Sequence, residues 1–140
     1  MFEQILLAVD GSEHALKAAK LAGDLARAVN ATHLRIVIAY DRIPPYLGEP
    51  NFQYVIDAGL REATDRLDKA RNAAGKVPAE VHTEFIAGDP AEVIVNVAAT
   101  RQCSVIVMGS RGLGRLAGLV LGSTSQKVVS HAPCPVLIAR

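Results

Sequence analysis

Ser104–Gln126, SVIVMGSRGLGRLAGLVLGSTSQ, is the stretch whose reading decides the fold. It opens with a short apolar run, Val105–Met108, rich in β-branched residues, as suits a strand buried on both faces. Gly109 and Gly112 follow, then Gly122 and Ser123, and then a polar helix start over Ser123–Gln126. A buried strand that empties into a glycine loop and then a helix is a common way to hold a phosphate. Glycine lets the backbone approach the anion, and the helix N-terminus offers N–H donors and a partial positive charge.

Three phosphate-loop patterns compete for these residues. A Walker A loop needs Lys and then Ser or Thr after its second glycine, but Gly109-x4-Gly114 is followed by Arg115 and Leu116. Gly112–Ala117 spells G-x-G-x-x-A, the dinucleotide fingerprint. That fingerprint belongs after the first strand of a βαβ unit, with an acid about 20 residues further on. At that distance the chain has Pro135–Ala139 and no acid. The third pattern, G-x2-G-x9-G-[ST], fits at every position.

Val105–Ile138, with VMGSRG, LGSTSQKVV and HAPCPVLIA, resembles the C-terminal half of the universal stress protein family, and Ile5–Ala15, ILLAVDGSEHA, resembles its first strand and turn. Both ends match in the right order, so the resemblance covers nearly the whole chain. It implies an ATP-binding member, because within the family the G-x2-G-x9-G-[ST] pattern marks the members that bind ATP. It also implies a Rossmann-like sheet in the order 3-2-1-4-5 and a homodimer.

Bulk composition sets the frame. The length of 140 residues suits one domain over 1–140, large enough for a core. With 50% hydrophobic and 4% aromatic residues, that core is aliphatic. A net charge of +1 offers no argument for nucleic acid or a membrane surface. No apolar run is long enough for a transmembrane helix, and Met1–Asp10 lacks the features of a signal peptide. Cys103 and Cys134 read as reduced, buried thiols of a cytoplasmic protein.

The chain alternates strand and helix patterns, which predicts an α/β, doubly wound parallel sheet. Strands are expected at Phe2–Asp10, His33–Tyr40, Val81–Ala87, Val105–Met108 and Pro135–Ala139, the third as a half-exposed edge. Helices are expected over Ser12–Asn30 with Ser12 as N-cap, over the Ile56–Ala74 pattern ending near Gly75, from Asp89-Pro90-Ala91-Glu92 onward, and over Ser123–Ser130 with Ser123 and Gln126 as a capping box. His131–Pro135 ends that last helix. Asp41–Asn51, with three prolines and a glycine, reads as an irregular loop.

In such a sheet a ligand sits beyond the carboxyl ends of the strands where the order reverses. Those ends carry Asp10 and Gly109. Asp10 can accept hydrogen bonds from ribose or the adenine amino group, a role the resemblance implies; otherwise it is a turn residue before Gly11. Ala8 and Val9 would line the adenine side. Ala39 aligns with a family position whose backbone pairs with the base. Met108 would pack on sugar or base, or simply fill the core. Gly109, Gly112, Gly122, Ser123 and Ser125 would hold phosphates through N–H and hydroxyl groups, and Thr124 through its N–H. Arg111 and Arg115 could add charge there, or stand solvated.

Other residues read as ordinary. His14, His33, His82 and His131 share no metal-ligand spacing such as H-x3-H, so no zinc site is expected. The apolar stretch Leu116–Leu121 has three readings left open: a cover over the nucleotide, a subunit contact, or a short helix. The expected function is a nucleotide-dependent stress-response module that binds ATP, with Mg²⁺, and pairs through Pro135–Ala139. The alternatives are a slow ATPase or phosphotransferase using the same pocket and, on the weaker fingerprint, an oxidoreductase. Between Gly109 and Ser125 there is no Asp, Glu, His or Lys to serve as base or metal ligand, which favours the binding module.

Overall fold

A computed structural model describes residues 1–41, 48–111 and 121–140 of the chain. Its elements run β1 Gln4–Ala8, α1 Glu13–Val29, β2 His33–Tyr40, α2 Asn51–Ala74, β3 Glu80–Ala87, α3 Pro90–Thr100, β4 Val105–Gly109, α4 Ser123–His131 and β5 Val136–Ala139. The strands form one five-stranded sheet in the order β3-β2-β1-β4-β5, every pairing parallel. The order reverses at β1, which pairs with β2 on one side and β4 on the other.

The apolar runs become the centre of this sheet because they are covered on both faces. Ile5, Leu6, Leu7 and Ile106 are fully buried. Alternate residues of each strand point to opposite faces, and two aliphatic clusters result. One holds Ile5, Leu7, Ile36 and Val107 under the alanine stripe of α1 and the alanines of α2. The other holds Leu6, Val37, Ile106 and Met108 under α3 and Val128 of α4. This is the doubly wound arrangement expected from the alternating pattern.

Small residues on α1 allow a close approach between helices. Ala15, Ala18, Ala19, Ala22, Gly23 and Ala26 form its buried face. A Cβ at Gly23 would lie 2.0 Å from the Ala74 carbonyl oxygen at the end of α2. Arg27 then donates from Nη1 to the carbonyls of Ala74 and Lys76, both at 2.8 Å, satisfying groups that the helix end leaves unpaired.

The caps read from the sequence hold at two helices. The Ser12 hydroxyl accepts from Ala15 N at 3.1 Å, and Asp89 accepts from Glu92 N at 3.1 Å ahead of Pro90. Most element ends differ from expectation by a residue or two, as fraying termini do. β1 is shorter than Phe2–Asp10, because Asp10 enters a turn. α4 continues through His131, with Ala132 as its C-cap. The helix at α2 begins at Asn51, inside the segment expected to be loop, of which residues 42–47 lie outside the described residues. β3 is an edge strand and half-exposed, as its alternation predicts.

Candidate functional site

The carboxyl ends of β1, β2 and β4 place three of the expected residues side by side. Ala8, Ala39 and Met108 lie on three adjacent strands with their side chains in or against the cluster on the α3–α4 face. Val9 points the other way, into the α1–α2 cluster, and its N–H donates to the Val37 carbonyl at 3.1 Å. Ala8 and Val9 therefore do not line one surface with their side chains. Met108 is buried at 5% exposure, so its packing role is present whatever else it touches.

Asp10 sits one turn beyond β1, half-buried, and accepts from Ser12 N through Oδ1 at 2.9 Å. The turn reading of this residue is thus realised, and no other hydrogen bond to its carboxylate comes from the described residues. Gly11 adopts φ +87°, a conformation side chains disfavour, and a Cβ there would meet Arg66 Nε of α2 at 2.7 Å. Arg66 has no sequence signal. It lies with Glu62 and Lys69 in a pocket beside Gly11, lined by residues of α1 and α2.

Beyond β4, Ser110 is the residue that sequence reading missed. It is 2% exposed, and its carbonyl accepts both the Gly122 N–H at 2.7 Å and the Ser125 hydroxyl at 2.8 Å. These bonds tie the start of α4 to the end of β4. Its own hydroxyl lies 3.3 Å from His14 Nδ1. His14 thereby joins the site from α1, ninety-six positions away in the chain, although no base lies within the loop sequence itself.

The expected capping box is not formed. Gly122, extended at φ −72° and ψ 169°, is the N-cap of α4 and offers no side chain; Ser123 is the first helical residue and is exposed. Gln126 Nε2 turns instead to the Leu121 carbonyl at 3.0 Å. The reason is positional: with Gly122 at the N-cap, Ser123 is one residue too late to cap. The N–H groups of Ser123, Thr124 and Ser125 consequently start a helix whose first donors have neither an intrahelical acceptor nor, among the described residues, a side-chain cap. Ser125 is buried, with its hydroxyl committed as a donor to Ser110. Arg111 follows Ser110, half-buried, while Gly112, Arg115 and Leu116–Val120 lie outside the described residues.

Both cysteines are free, Cys103 buried and Cys134 half-buried. Burial pushes the Cys103 thiol up to about 11 and raises that of Cys134. No described helix is long and apolar enough to cross a membrane.

A reversal of strand order beside a helix start is shared by many α/β folds, so comparison with known proteins decides the affiliation. The family model described as "Universal stress protein family" matches residues 1–140. The chain belongs to the universal stress protein family. It is 46% identical over 140 residues to "Universal stress protein in QAH/OAS sulfhydrylase 3'region" of Thermus aquaticus, covering 100% of both chains. Among solved structures, universal stress protein UspA from Lactobacillus plantarum shares 28% identity at a TM-score of 0.86, over 99% of this chain and 98% of that one. A universal stress protein in complex with cAMP shares 26% identity at a TM-score of 0.71, over 97% and 95% of the two chains.

Proposed function

We propose that this universal stress protein is an ATP-binding, nucleotide-dependent stress-response module comprising the single domain 1–140. The observation that carries the reading is the glycine-capped N-terminus of α4, bound to the end of β4 beside the point where the strand order reverses. Helix-start donors without a partner among the described residues, together with the helix dipole, favour an anion there, and the G-x2-G-x9-G-S pattern runs through the same residues. The neighbour whose structure contains cAMP supports an adenine nucleotide as the ligand class.

In this reading Gly109, Gly112, Gly122, Ser123, Thr124 and Ser125 surround the phosphates, chiefly through N–H groups, with the Ser123 hydroxyl as an added donor. Arg111 supplies positive charge. The Asp10 carboxylate receives ribose or adenine donors, and Ala8, Val9, Ala39 and Met108 form the base side, Val9 through its backbone. Mg²⁺ would travel on the phosphates, since it holds water tightly and needs few protein ligands. Native mass spectrometry of the purified protein tests the reading. A mass increment of one adenine nucleotide per chain supports it, and failure both to retain nucleotide and to take up added ATP contradicts it.

A homodimer through β5, in a protein of the cytoplasm, completes the proposal. β4 bonds to Pro135 and Ala139 through their carbonyls, so the N–H and C=O of Val136 and Ile138 face the open edge of the sheet. A two-fold copy of this edge would pair them.

A further inference from the structure

At the opposite end of the sheet from the crevice, β2 and β3 bring three metal-binding side chains together. His33 pairs in register with Glu80, and His82 stands two residues along β3, on the same face as Glu80. His33 Nδ1 lies 3.2 Å from His82 Nε2. The Glu80 carboxylate reaches both rings, with Oε2 at 3.8 Å from His33 Nδ1 and Oε1 at 3.7 Å from His82 Nε2. All the ligand atoms lie within 4.8 Å of one another.

We infer that His33, Glu80 and His82 bind a divalent transition metal of the Zn²⁺ class, with water completing a tetrahedral shell. The spacing suits the ion. Zinc–nitrogen bonds of about 2.0–2.1 Å at a tetrahedral angle place two nitrogens about 3.3–3.4 Å apart, close to the 3.2 Å observed. The carboxylate oxygens need only a few tenths of an ångström to close in, and Glu80 is free to move, at 69% side-chain exposure. Two convergent imidazoles with one carboxylate select zinc, cobalt or nickel over Mg²⁺ and Ca²⁺, which prefer all-oxygen shells. The exposed side of the cluster leaves room for the water.

The surrounding charges permit the site. Arg35, the next residue of β2 on this face, is held by Glu84 at 3.5 Å, and Glu84 also lies 3.8 Å from Arg101. Glu84 is shared between the two arginines, so Arg35, paired in register with His82, is only partly neutralised, and Glu80 contributes the cluster's own negative charge against it. The cluster lies about 20 Å from Ala39, at 3.3 Å per strand residue, so it is separate from the crevice and from any Mg²⁺ carried on a nucleotide. A metal here would clip edge strand β3 to β2 where the two strands begin.

Titration of nucleotide-free, chelator-treated protein with Co²⁺, followed by visible absorption, and with Zn²⁺, followed by calorimetry, tests the inference. One metal per chain and the strong visible bands of tetrahedral Co²⁺ are expected. His82→Ala and Glu80→Gln each alter a direct ligand, so each should weaken binding by about tenfold or more, at least the loss that changes to outer-shell partners cause. Glu80 is exposed enough that its variant leaves the fold intact, so the pair remains decisive if His82→Ala is unstable. Absence of binding would overturn the inference. So would unchanged affinity in Glu80→Gln and His82→Ala, which would place the metal on another group such as Cys134 or His131.

Discussion

A Cβ on Gly109 would lie 2.7 Å from the Cβ of His14 and 2.8 Å from its carbonyl carbon. The last residue of β4 is therefore held to glycine by the first turn of α1, before any ligand is considered. Gly109→Ala must push α1 away from the sheet, since part of the obstruction is backbone. Overpacking of this kind costs about 1–3 kcal/mol. Urea denaturation without nucleotide should show that loss, and wild-type stability in the variant would show that α1 can yield at no cost.

Cys103 gives a prediction in pH. Its thiol titrates near 9.0 when unperturbed and at about 11 in the folded protein, because burial disfavours the thiolate. The folded pKa is raised, so the stabilising contribution is complete below pH 9.0 and is lost as pH climbs toward 11. In a Cys134→Ser background, thiolate absorbance should develop mainly above pH 10, on the approach to that value near 11. A midpoint near the unperturbed value would contradict the buried environment.

Much of this could be read from residue pattern alone. The five strands and the caps at Ser12 and Asp89 follow from aliphatic runs and local hydrogen-bonding chemistry, which are properties of neighbouring residues, whereas the strand order and its reversal at β1 came from the family resemblance. What escaped was of two kinds. The cap of α4 shifted by one residue, because Gly122 and Ser123 are both acceptable N-caps and the bond from Gly122 N to Ser110 O decides between them. The contacts Ser110–His14, Gly11–Arg66 and His33–His82 join residues far apart in sequence. For the last, Glu80-x-His82 on a strand was a usable signal that two ligands share a face. His33 becomes visible only once the β2–β3 register is known.

The edge formed by Val136 and Ile138 predicts a dimer. Light scattering at tens of micromolar, roughly the range where weak dimers form, should give twice the chain mass. Val136→Pro removes one edge-facing N–H without removing a donor to β4, and it should shift the protein toward monomer. A wild-type monomer at that concentration would contradict the proposed pairing.

ATP turnover should be very slow. Phosphoryl transfer requires charge neutralisation and a group that orients the nucleophile. The loop supplies donors that bind ground and transition states alike, which lowers no barrier. His14 is the base that the fold adds, and its Nδ1 lies against the Ser110 hydroxyl. Kinases turn over at about 1–100 per second. Turnover here should fall at least about a hundredfold below the lower figure, a barrier difference of about 2.7 kcal/mol. Steady-state phosphate release near one per second, abolished in Ser123→Ala or His14→Ala, would make the protein an enzyme.

In the proposed site, ATP phosphates rest on the N-terminus of α4. Gly122 has φ −72° and ψ 169°, a backbone that valine adopts without strain. Gly122→Val therefore adds a branched side chain at the proposed phosphate contact while leaving the local conformation accessible. Calorimetric titration with ATP and Mg²⁺ should show affinity reduced more than about tenfold, or about 1.4 kcal/mol, in a variant whose unfolding curve shows it folded at the assay temperature, since valine is a poorer N-cap than glycine. Equal ATP affinity in the two proteins would contradict the site.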